Sequence, residues 1–174
     1  LVSCTLNYNN GCKGGYMDSH KYHKATLGQQ QSVAGAVLES AMPYVQGSTA
    51  EEAPCYPVAH PYRLESWYRI GSTWGSVPGI EDIKRTIFTK GPVMVGICTG
   101  PAFDEYSGGI FTTSETCGDQ SINHVVILTG WKIDPVHGTV WIMKNSWGTW
   151  WGDTGICTSK PAPPKSVIPH RMLF

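Results

Sequence analysis

The sequence predicts an α+β fold, with helices in its first part and an antiparallel β-sheet or barrel in its last. Two observations predict this class. Apolar residues recur with helical spacing over residues 80–88, and Gly91-Pro92 then ends the pattern. From residue 93 onward the apolar runs are short, rich in β-branched residues and separated by Gly, Pro and Asp, which is typical of strands joined by tight turns.

Two segments are predicted to be helical. Asp18 can cap a short helix over residues 19–27, and Gly28 would end it. The second helix has four apolar residues on one predicted face, namely Ile80, Ile83, Ile87 and Phe88. We expect that face to lie in the core.

A β-hairpin is predicted near the end of the chain. Residues 125–131 and 140–143 are rich in β-branched and aromatic side chains. The intervening residues 132–139 contain the dipeptides Asp-Pro and His-Gly, which are turn signals. The two runs are therefore expected to pair as antiparallel strands.

His124 and Asn145 are predicted to meet at the open end of this hairpin. If Trp131 lies near Val140, counting back along both strands brings His124 close to Asn145, within about one residue of register. Directly opposed side chains on such a ladder have Cβ atoms about 4.5–5.5 Å apart. The Asn145 carboxamide oxygen can then accept a hydrogen bond from one ring nitrogen of His124, which leaves the other nitrogen for proton transfer.

This pairing is the base and orienting residue of a nucleophilic triad. The alternative is a histidine at a sheet edge beside an asparagine that only closes a turn, because short motifs also match by chance. Residue types alone leave both interpretations open.

Several separate blocks of the sequence carry a family resemblance. They are Leu-Val-Ser-Cys at 1–4, Gly-Cys-Lys-Gly-Gly at 11–15, Met-Pro-Tyr at 42–44 with Cys55, Gly-Pro-Val-Met-Val at 91–95, Tyr-Ser-Gly-Gly-Ile-Phe at 106–111, Asn-His at 123–124 and Asn-Ser-Trp-Gly-Thr-Trp-Trp-Gly at 145–152. Taken in this order, they resemble the papain-like cysteine proteases of the cathepsin type. The resemblance implies two lobes: residues 1–72 as the remainder of a helical lobe, and residues 73–174 as a β-rich lobe that carries His124 and Asn145.

The resemblance also implies roles for individual residues. His124 would be the general base and acid, Asn145 its orienting residue, and Trp147 an aromatic side chain that shields their hydrogen bond from water. Gly14 and Gly15 would offer backbone hydrogen bonds to an extended substrate, although a tight turn that needs positive φ is the alternative.

A substrate pocket is implied by further matches. The candidate substrate-binding residues, besides the two glycines, are Tyr16, Met17, Gly96, Ile122 and Asn123. The first four of these match positions that line the pocket for the second residue before the scissile bond. An apolar substrate residue would suit such a pocket.

The nucleophilic cysteine of the family has no counterpart in this sequence. In papain-like enzymes it lies about 130–150 residues before the histidine and asparagine, within a Cys-Gly-Ser-Cys-Trp type of sequence. Counting back from His124 passes residue 1, and no such sequence occurs. We therefore expect an incomplete protease, whether a partial sequence, one chain of a processed enzyme or a degenerate homologue. The partner that it needs is an N-terminal segment or chain with the nucleophilic cysteine.

Six cysteines in 174 residues favour an oxidising compartment. The resemblance implies two disulfide pairs, Cys4 with Cys55 and Cys117 with Cys157. A lysosomal, vacuolar or extracellular location is expected from the family and from this cysteine usage.

The remaining cysteines are left without partners by the resemblance. Cys12 matches a cysteine whose family partner lies in the absent segment, and Cys98 is left over. Cys4, Cys12, His20 and His23 could make a zinc site, but the spacing between the two cysteines is wider than zinc sites use. No metal and no cofactor is therefore predicted.

The composition describes an ordinary globular chain. With 41% hydrophobic residues and a formal net charge of zero, the chain lacks the basic excess of a nucleic-acid binder. No apolar run approaches the length of about 20 residues that a membrane span needs. The expected partners are a peptide or protein substrate and a propeptide or protein inhibitor, with no nucleic acid and no membrane. A protease-shaped interaction module without catalytic activity is the alternative function.

Overall fold

In the computed structural model the chain forms two compact units, one of Leu1–Trp67 with Leu173–Phe174 and one of Tyr68–Met172. The residues that the structure describes are 14–15, 23, 35–43, 61–62, 64, 66–70, 78–113, 122–161, 167–168 and 172–173. The predicted helix over residues 19–27 lies outside them, apart from His23. The division between residues 72 and 73 stays a prediction.

The first unit contains a β-bridge and a turn among its described residues. Ala36 and Tyr62 exchange both backbone hydrogen bonds, at 2.7 and 3.3 Å. The turn follows directly, where the amides of Ala41 and Met42 both donate to the Leu38 carbonyl, at 3.0 and 3.2 Å. These contacts fix the local backbone over residues 36–42.

The second unit is built on a mixed β-sheet. The helices and strands of the described residues in both units, in chain order, are β1 (Trp67–Tyr68), α1 (Ile80–Lys90), β2 (Val93–Ile97), α2 (Pro101–Asp104), β3 (Ile110–Phe111), β4 (His124–Asp134), β5 (Gly138–Lys144), β6 (Ile156–Ser159), β7 (Val167–Ile168) and β8 (Met172–Leu173). Six strands form one sheet in the order β3-β6-β5-β4-β2-β7, and β1 pairs with β8. This arrangement confirms the predicted α+β fold class.

Most of the sheet is antiparallel, as predicted, but one pairing is not. Within the six-stranded sheet, β3 pairs with β6 in parallel, with Ile110 opposite Thr158 and Phe111 opposite Ser159. A parallel pair needs a long crossover, and here the whole β4–β5 hairpin lies between the two strands in the chain. No helix in the described part of the chain is both long and apolar enough to cross a membrane.

The β4–β5 hairpin has the predicted strands, but its register differs by one residue from the prediction. Trp131 pairs with Trp141, next to the expected partner Val140, and Asp134 pairs with Gly138 at the turn. Three residues therefore form the loop, and Gly138 at φ 71° adopts the left-handed conformation that closes such a loop. The odd loop length shifts the register by one.

Helix α1 packs only part of its apolar face into the core. Ile83 and Ile87 are buried, but Ile80 and Phe88 are 40% and 83% exposed. The predicted four-residue core face is therefore wrong at its ends. Phe88 lies about 100° around the helix from Ile87, so its side chain turns away from the sheet.

The core of the second unit lies between the sheet, α1 and the segments that follow β2 and β5. Its buried residues are Ile83, Ile87, Val93, Val95, Ile97, Phe103, Tyr106, Val126, Leu128, Trp141, Met143, Trp151 and Cys157. The register of β4 shifts between Leu128 and Gly130, so Thr129 forms a bulge. Strand residues before this bulge alternate between buried and exposed, as expected for a half-buried strand.

The predicted disulfide of Cys157 is wrong. Cys157 is a free cysteine with no exposed surface, on β6 opposite Met143. Its thiol is hydrogen-bonded to the Tyr106 hydroxyl, inside the core. Cys98, which the family resemblance left over, is disulfide-bonded. The predicted partners Cys4, Cys55 and Cys117 lie outside the described residues.

Candidate active site

His124 and Asn145 form the centre of the site. His124 Nε2 lies 2.9 Å from Asn145 Oδ1. The backbone amide of Ser146 donates to the same Oδ1 at 2.8 Å. Because a backbone N–H can only donate, this bond identifies the atom as the carboxamide oxygen, and Nε2 must therefore carry the proton that it shares with Asn145. The neutral tautomer then leaves Nδ1 as a proton acceptor.

The predicted contact between these side chains is confirmed, but they are not directly opposed in the ladder. The last pair of the β4–β5 register is Ile127 with Lys144. Continuing that register would set Val126 opposite Asn145, so His124 lies two residues away, on the same face of the strand. Side chains related diagonally in this way are still within reach of one another.

The Asn145 side chain is held in a fixed, buried position. Its residue is only 4% exposed. Its backbone amide donates to the Gly155 carbonyl at 3.0 Å, which fixes the point where the chain leaves β5. The carboxamide Nδ2 is buried and has no hydrogen-bond partner among the residues that the structure describes. The oxygen end of the carboxamide is therefore the end that is held, and it faces His124.

Aromatic rings surround the His124 imidazole. The Trp147 ring lies 4.9 Å from it at an interplanar angle of 38°. The Phe103 ring lies 6.1 Å from it and 5.6 Å from Trp147. Trp151 supports both aromatic rings, at 4.8 Å from Phe103 and 5.4 Å from Trp147, and its indole N–H donates to the Phe103 carbonyl at 3.1 Å. The Trp147 position agrees with the shielding role expected of it, and that role stays a prediction.

Phe103 is the residue of this site that the sequence did not reveal. It lies on α2, a helix of four residues that begins with Pro101 at its first position. Such a short helix carries no hydrophobic periodicity. The only local signals were the helix-start proline and the apolar residue two positions later, and neither points to contact with a residue 21 positions further along the chain.

The Asn123 side chain fastens the residue before His124 to the loop that follows β2. Its Oδ1 accepts hydrogen bonds from the amide and the hydroxyl of Thr99, at 2.9 and 3.2 Å. Its Nδ2 donates to the Thr99 carbonyl at 2.9 Å. The carboxamide is thus engaged by Thr99, so a contact between Asn123 and substrate would involve its backbone.

The other predicted substrate-binding residues are placed as follows. Gly96 is buried in β2, where it pairs with Val125 on β4 and with Ile168 on β7. Ile122 is half-buried, two residues before His124. Their roles in substrate binding stay predictions.

Gly14 and Gly15 are both exposed, in the first unit. Gly14 has φ 109°, the positive value that the turn interpretation requires. Tyr16 and Met17 lie outside the described residues.

The described residues contain no group of three or more His, Cys, Asp or Glu side chains that could hold a metal ion. Three members of the alternative zinc set, Cys4, Cys12 and His20, lie outside the described residues. The chemistry that His124 and Asn145 offer is that of an oriented imidazole.

Comparisons with known proteins agree with this chemistry. Residues 1–162 match the model of the papain family cysteine proteases. A cathepsin L-like protein of Caenorhabditis elegans is 30% identical over 158 residues, which cover 89% of this chain and 42% of the relative. Cathepsin K of Gallus gallus is 34% identical over 157 residues, with 89% and 42% of the two chains covered. The chain thus spans less than half the length of these relatives.

Solved structures show the same fold. Digestive procathepsin L 3 of the Tenebrio molitor larval midgut is 26% identical, with a TM-score of 0.73, and the match covers 99% of this chain and 53% of that one. A structure concerned with the mite allergens Blo t 1 and Der p 1 is 25% identical, with a TM-score of 0.75 and coverage of 99% and 54%. The papain-like fold predicted from the sequence is confirmed.

Proposed function

The chain belongs to the papain family of cysteine proteases, and we propose that it forms the part of a cysteine-type peptidase that carries the catalytic histidine and asparagine. The observation that supports this most directly is the 2.9 Å contact between His124 Nε2 and Asn145 Oδ1. The activity of the whole protein and its nucleophilic cysteine belong to the proposal, because the chain spans less than half of its relatives' length.

The proposed nucleophile comes from outside these 174 residues. A thiol must ionise to attack a carbonyl carbon. Cys98 is disulfide-bonded, and burial raises the pKa of Cys157 to about 12. Neither of these two cysteines therefore offers a thiolate near neutral pH. His124 Nδ1 has no hydrogen-bond partner among the described residues, so it is the atom that would face an incoming thiol.

The reaction follows from this geometry. Nδ1 of His124 takes the thiol proton, and the thiolate forms a bond to the carbonyl carbon of the substrate. As the carbon–nitrogen bond breaks, the imidazolium returns its proton to the leaving amine, and an acyl thioester remains. Water then attacks the thioester while His124 accepts its proton, which releases the acid and regenerates the thiol. Asn145 keeps Nε2–H anchored throughout, so the ring presents the same nitrogen in each step.

The substrate, partners and location are proposed with the activity. Gly14, Gly15, Tyr16, Met17 and the residues around Gly96 would bind an extended peptide with an apolar residue two positions before the scissile bond. A propeptide or a protein inhibitor could occupy the same residues. The disulfide at Cys98 supports an oxidising location, lysosomal, vacuolar or extracellular.

The test measures hydrolysis of a fluorogenic peptide by the protein translated from the complete gene that encodes these residues. We expect His124→Ala to lower kcat/KM about a hundredfold or more, since general acid–base catalysis contributes at least that much. Asn145→Ala should lower it about tenfold or more, because the ring loses its anchored orientation. Iodoacetamide should abolish the activity by alkylating the proposed thiol.

His137→Ala is the matched control. His137 lies at the turn of the same hairpin, where its Nδ1 contacts Asp134 Oδ1 at 2.9 Å. Its replacement should leave kcat/KM within about twofold, since surface changes away from a site have small effects. Hydrolysis that persists in His124→Ala, or that His137→Ala reduces equally, would refute the proposed function.

A further inference from the structure

Trp150 is an exposed indole three residues after Trp147 in the chain, and neither the core nor the catalytic pair uses it. Trp150 is 79% exposed. Single exposed apolar residues are common on protein surfaces and need no special role. Phe88, which is 83% exposed on α1, is such a residue. Trp150 differs from Phe88 because it follows closely after Trp147, whose ring packs against His124.

The Trp150 indole lies against Gly148. A Cβ on Gly148 would lie only 3.2 Å from both Cδ1 and Nε1 of Trp150, so the indole edge lies against the bare backbone of this glycine. The preceding residue is Trp147, whose ring lies 4.9 Å from His124. The chain thus runs from the ring that covers the imidazole directly to the backbone that supports the exposed indole.

The segment under Trp150 is firmly held. Trp151 is 2% exposed and packs against Phe103 and Tyr106, with ring centroids 4.8 and 5.5 Å apart. The Gly155 amide donates to the Trp151 carbonyl at 2.8 Å. An exposed aromatic side chain on a rigid base loses little conformational entropy when it binds, and tryptophan is enriched at such contacts.

The chemistry of His124 indicates which part of a peptide would meet this indole. A general acid must come within hydrogen-bond distance of the nitrogen that it protonates. The leaving amine therefore sits beside the imidazole, and the residues that follow the scissile bond continue from that amine.

We propose that Trp150 contacts the first residues on the leaving-group side of the substrate and favours an apolar or aromatic side chain there. This inference rests on the proposed function and extends it to substrate preference. Indole and phenyl rings attract each other in edge-to-face and offset arrangements beyond their simple burial. A glycine at the same substrate position offers no such contact.

The first test compares internally quenched peptides that share one sequence before the cleaved bond and carry Phe, Leu or Gly after it. The enzyme is the protein translated from the complete gene. We expect Trp150→Ala to reduce the ratio of kcat/KM for the Phe peptide to that for the Gly peptide about tenfold, equivalent to about 1.4 kcal/mol. Trp150→Phe should restore most of this preference, and Phe88→Ala should leave it unchanged.

The second test needs no catalysis. A short peptide that begins with Phe, which corresponds to the leaving product, is titrated into the protein while the indole N–H signals are followed by NMR. The chain has seven tryptophans, and the spectrum of Trp150→Phe identifies the Trp150 signal by its loss. We expect that signal to shift with the Phe peptide and to stay in place with a Gly peptide.

The two proposals fail in different ways. If hydrolysis depends on His124 but Trp150→Ala leaves the Phe preference unchanged, or if the Trp150 signal does not move, the Trp150 assignment is overturned and the proposed function stands. Hydrolysis that survives His124→Ala refutes the proposed function instead. If the protein hydrolyses none of the peptides, the indole titration alone decides whether Trp150 binds them.

Discussion

The Cys157 thiol should be free but unreactive in the folded protein. It has no exposed surface, and burial raises its pKa from the ordinary 9.0 to about 12, while the hydrogen bond with Tyr106 acts in the opposite direction. Alkylating reagents such as iodoacetamide react with the thiolate form of cysteine. We therefore expect iodoacetamide to label Cys157 slowly in the native state and rapidly once the chain is unfolded.

The size of the effect follows from the two pKa values. At pH 8 a thiol with a pKa of 9.0 is about one tenth ionised, and one with a pKa of about 12 is ionised in about one molecule in ten thousand. Ionisation alone thus slows labelling about a thousandfold. A more basic thiolate is also a better nucleophile, which raises the rate of labelling about 20-fold and offsets part of this slowing. Ionisation and nucleophilicity together therefore slow labelling about 50-fold. The core must also open to admit the reagent, which slows the reaction further.

The assay is a timed alkylation at pH 8 without reductant, with and without guanidinium, followed by mass mapping of the modified cysteines. Cys98 is the internal control, because its disulfide should block labelling under both conditions until a reductant is added. Native labelling of Cys157 at the rate of a free peptide thiol would refute its burial. Failure to label it in guanidinium would show that it is disulfide-bonded after all.

Three further predictions concern stability. Thr154 has φ 57°, a left-handed conformation that is unfavourable for a β-branched residue. Thr154→Asn should therefore raise the free energy of unfolding, measured by urea denaturation, by about 0.5–1 kcal/mol. An unchanged or lower urea midpoint would contradict this. Asn123→Ala removes all three hydrogen bonds between this side chain and Thr99, so it should lower the free energy of unfolding by about 1–2 kcal/mol. It should also speed hydrogen exchange of the Thr99 amide, and unaltered exchange would show that these bonds do not hold the loop. Hydrogen bonds from the backbone and ring of His137 lower the pKa of Asp134 below 3.8, so the stability that this carboxylate adds is complete above about pH 4 and is lost as the pH falls through its pKa in the folded protein. Between pH 7 and pH 3, the free energy of unfolding of Asp134→Asn should therefore decline less than that of the wild type. Parallel declines would contradict this prediction.

The hairpin shows which structural features the sequence could predict. Its strands and its turn follow from β-branched runs and turn dipeptides, and these signals are local. The register depends on whether the turn uses an even or an odd number of residues, and Asp134 with Gly138 supports a three-residue loop. Counting residues along the two strands cannot reveal the bulge at Thr129, since a bulge depends on the packing of neighbouring strands. His124 and Asn145 met nevertheless, because long side chains tolerate a diagonal offset.

The pairing of the cysteines differs from what the family resemblance implies. The family resemblance implies a disulfide between Cys117 and Cys157 because a family cysteine lies in that part of the chain, although its spacing from the asparagine differs. The structure places Cys157 on β6 with its side chain in the core and Cys98 in a disulfide. A cysteine's pairing depends on which side of a strand it occupies and on what lies within about 6 Å, and neither property can be read from spacing alone.

The neutral character of Asn145 is consistent with the kind of nucleophile proposed here. The carboxamide oxygen receives two hydrogen bonds, from the Ser146 amide and from His124, so it can fix the ring without adding charge. An alcohol nucleophile ionises far less readily than a thiol, and in serine enzymes a buried carboxylate stabilises the imidazolium that forms. A thiol gives up its proton more easily, so the histidine needs orientation more than charge. The rings of Trp147 and Phe103 supply further orientation from the sides, at 4.9 and 6.1 Å. A site with this division of roles suits a sulfur nucleophile better than an oxygen one.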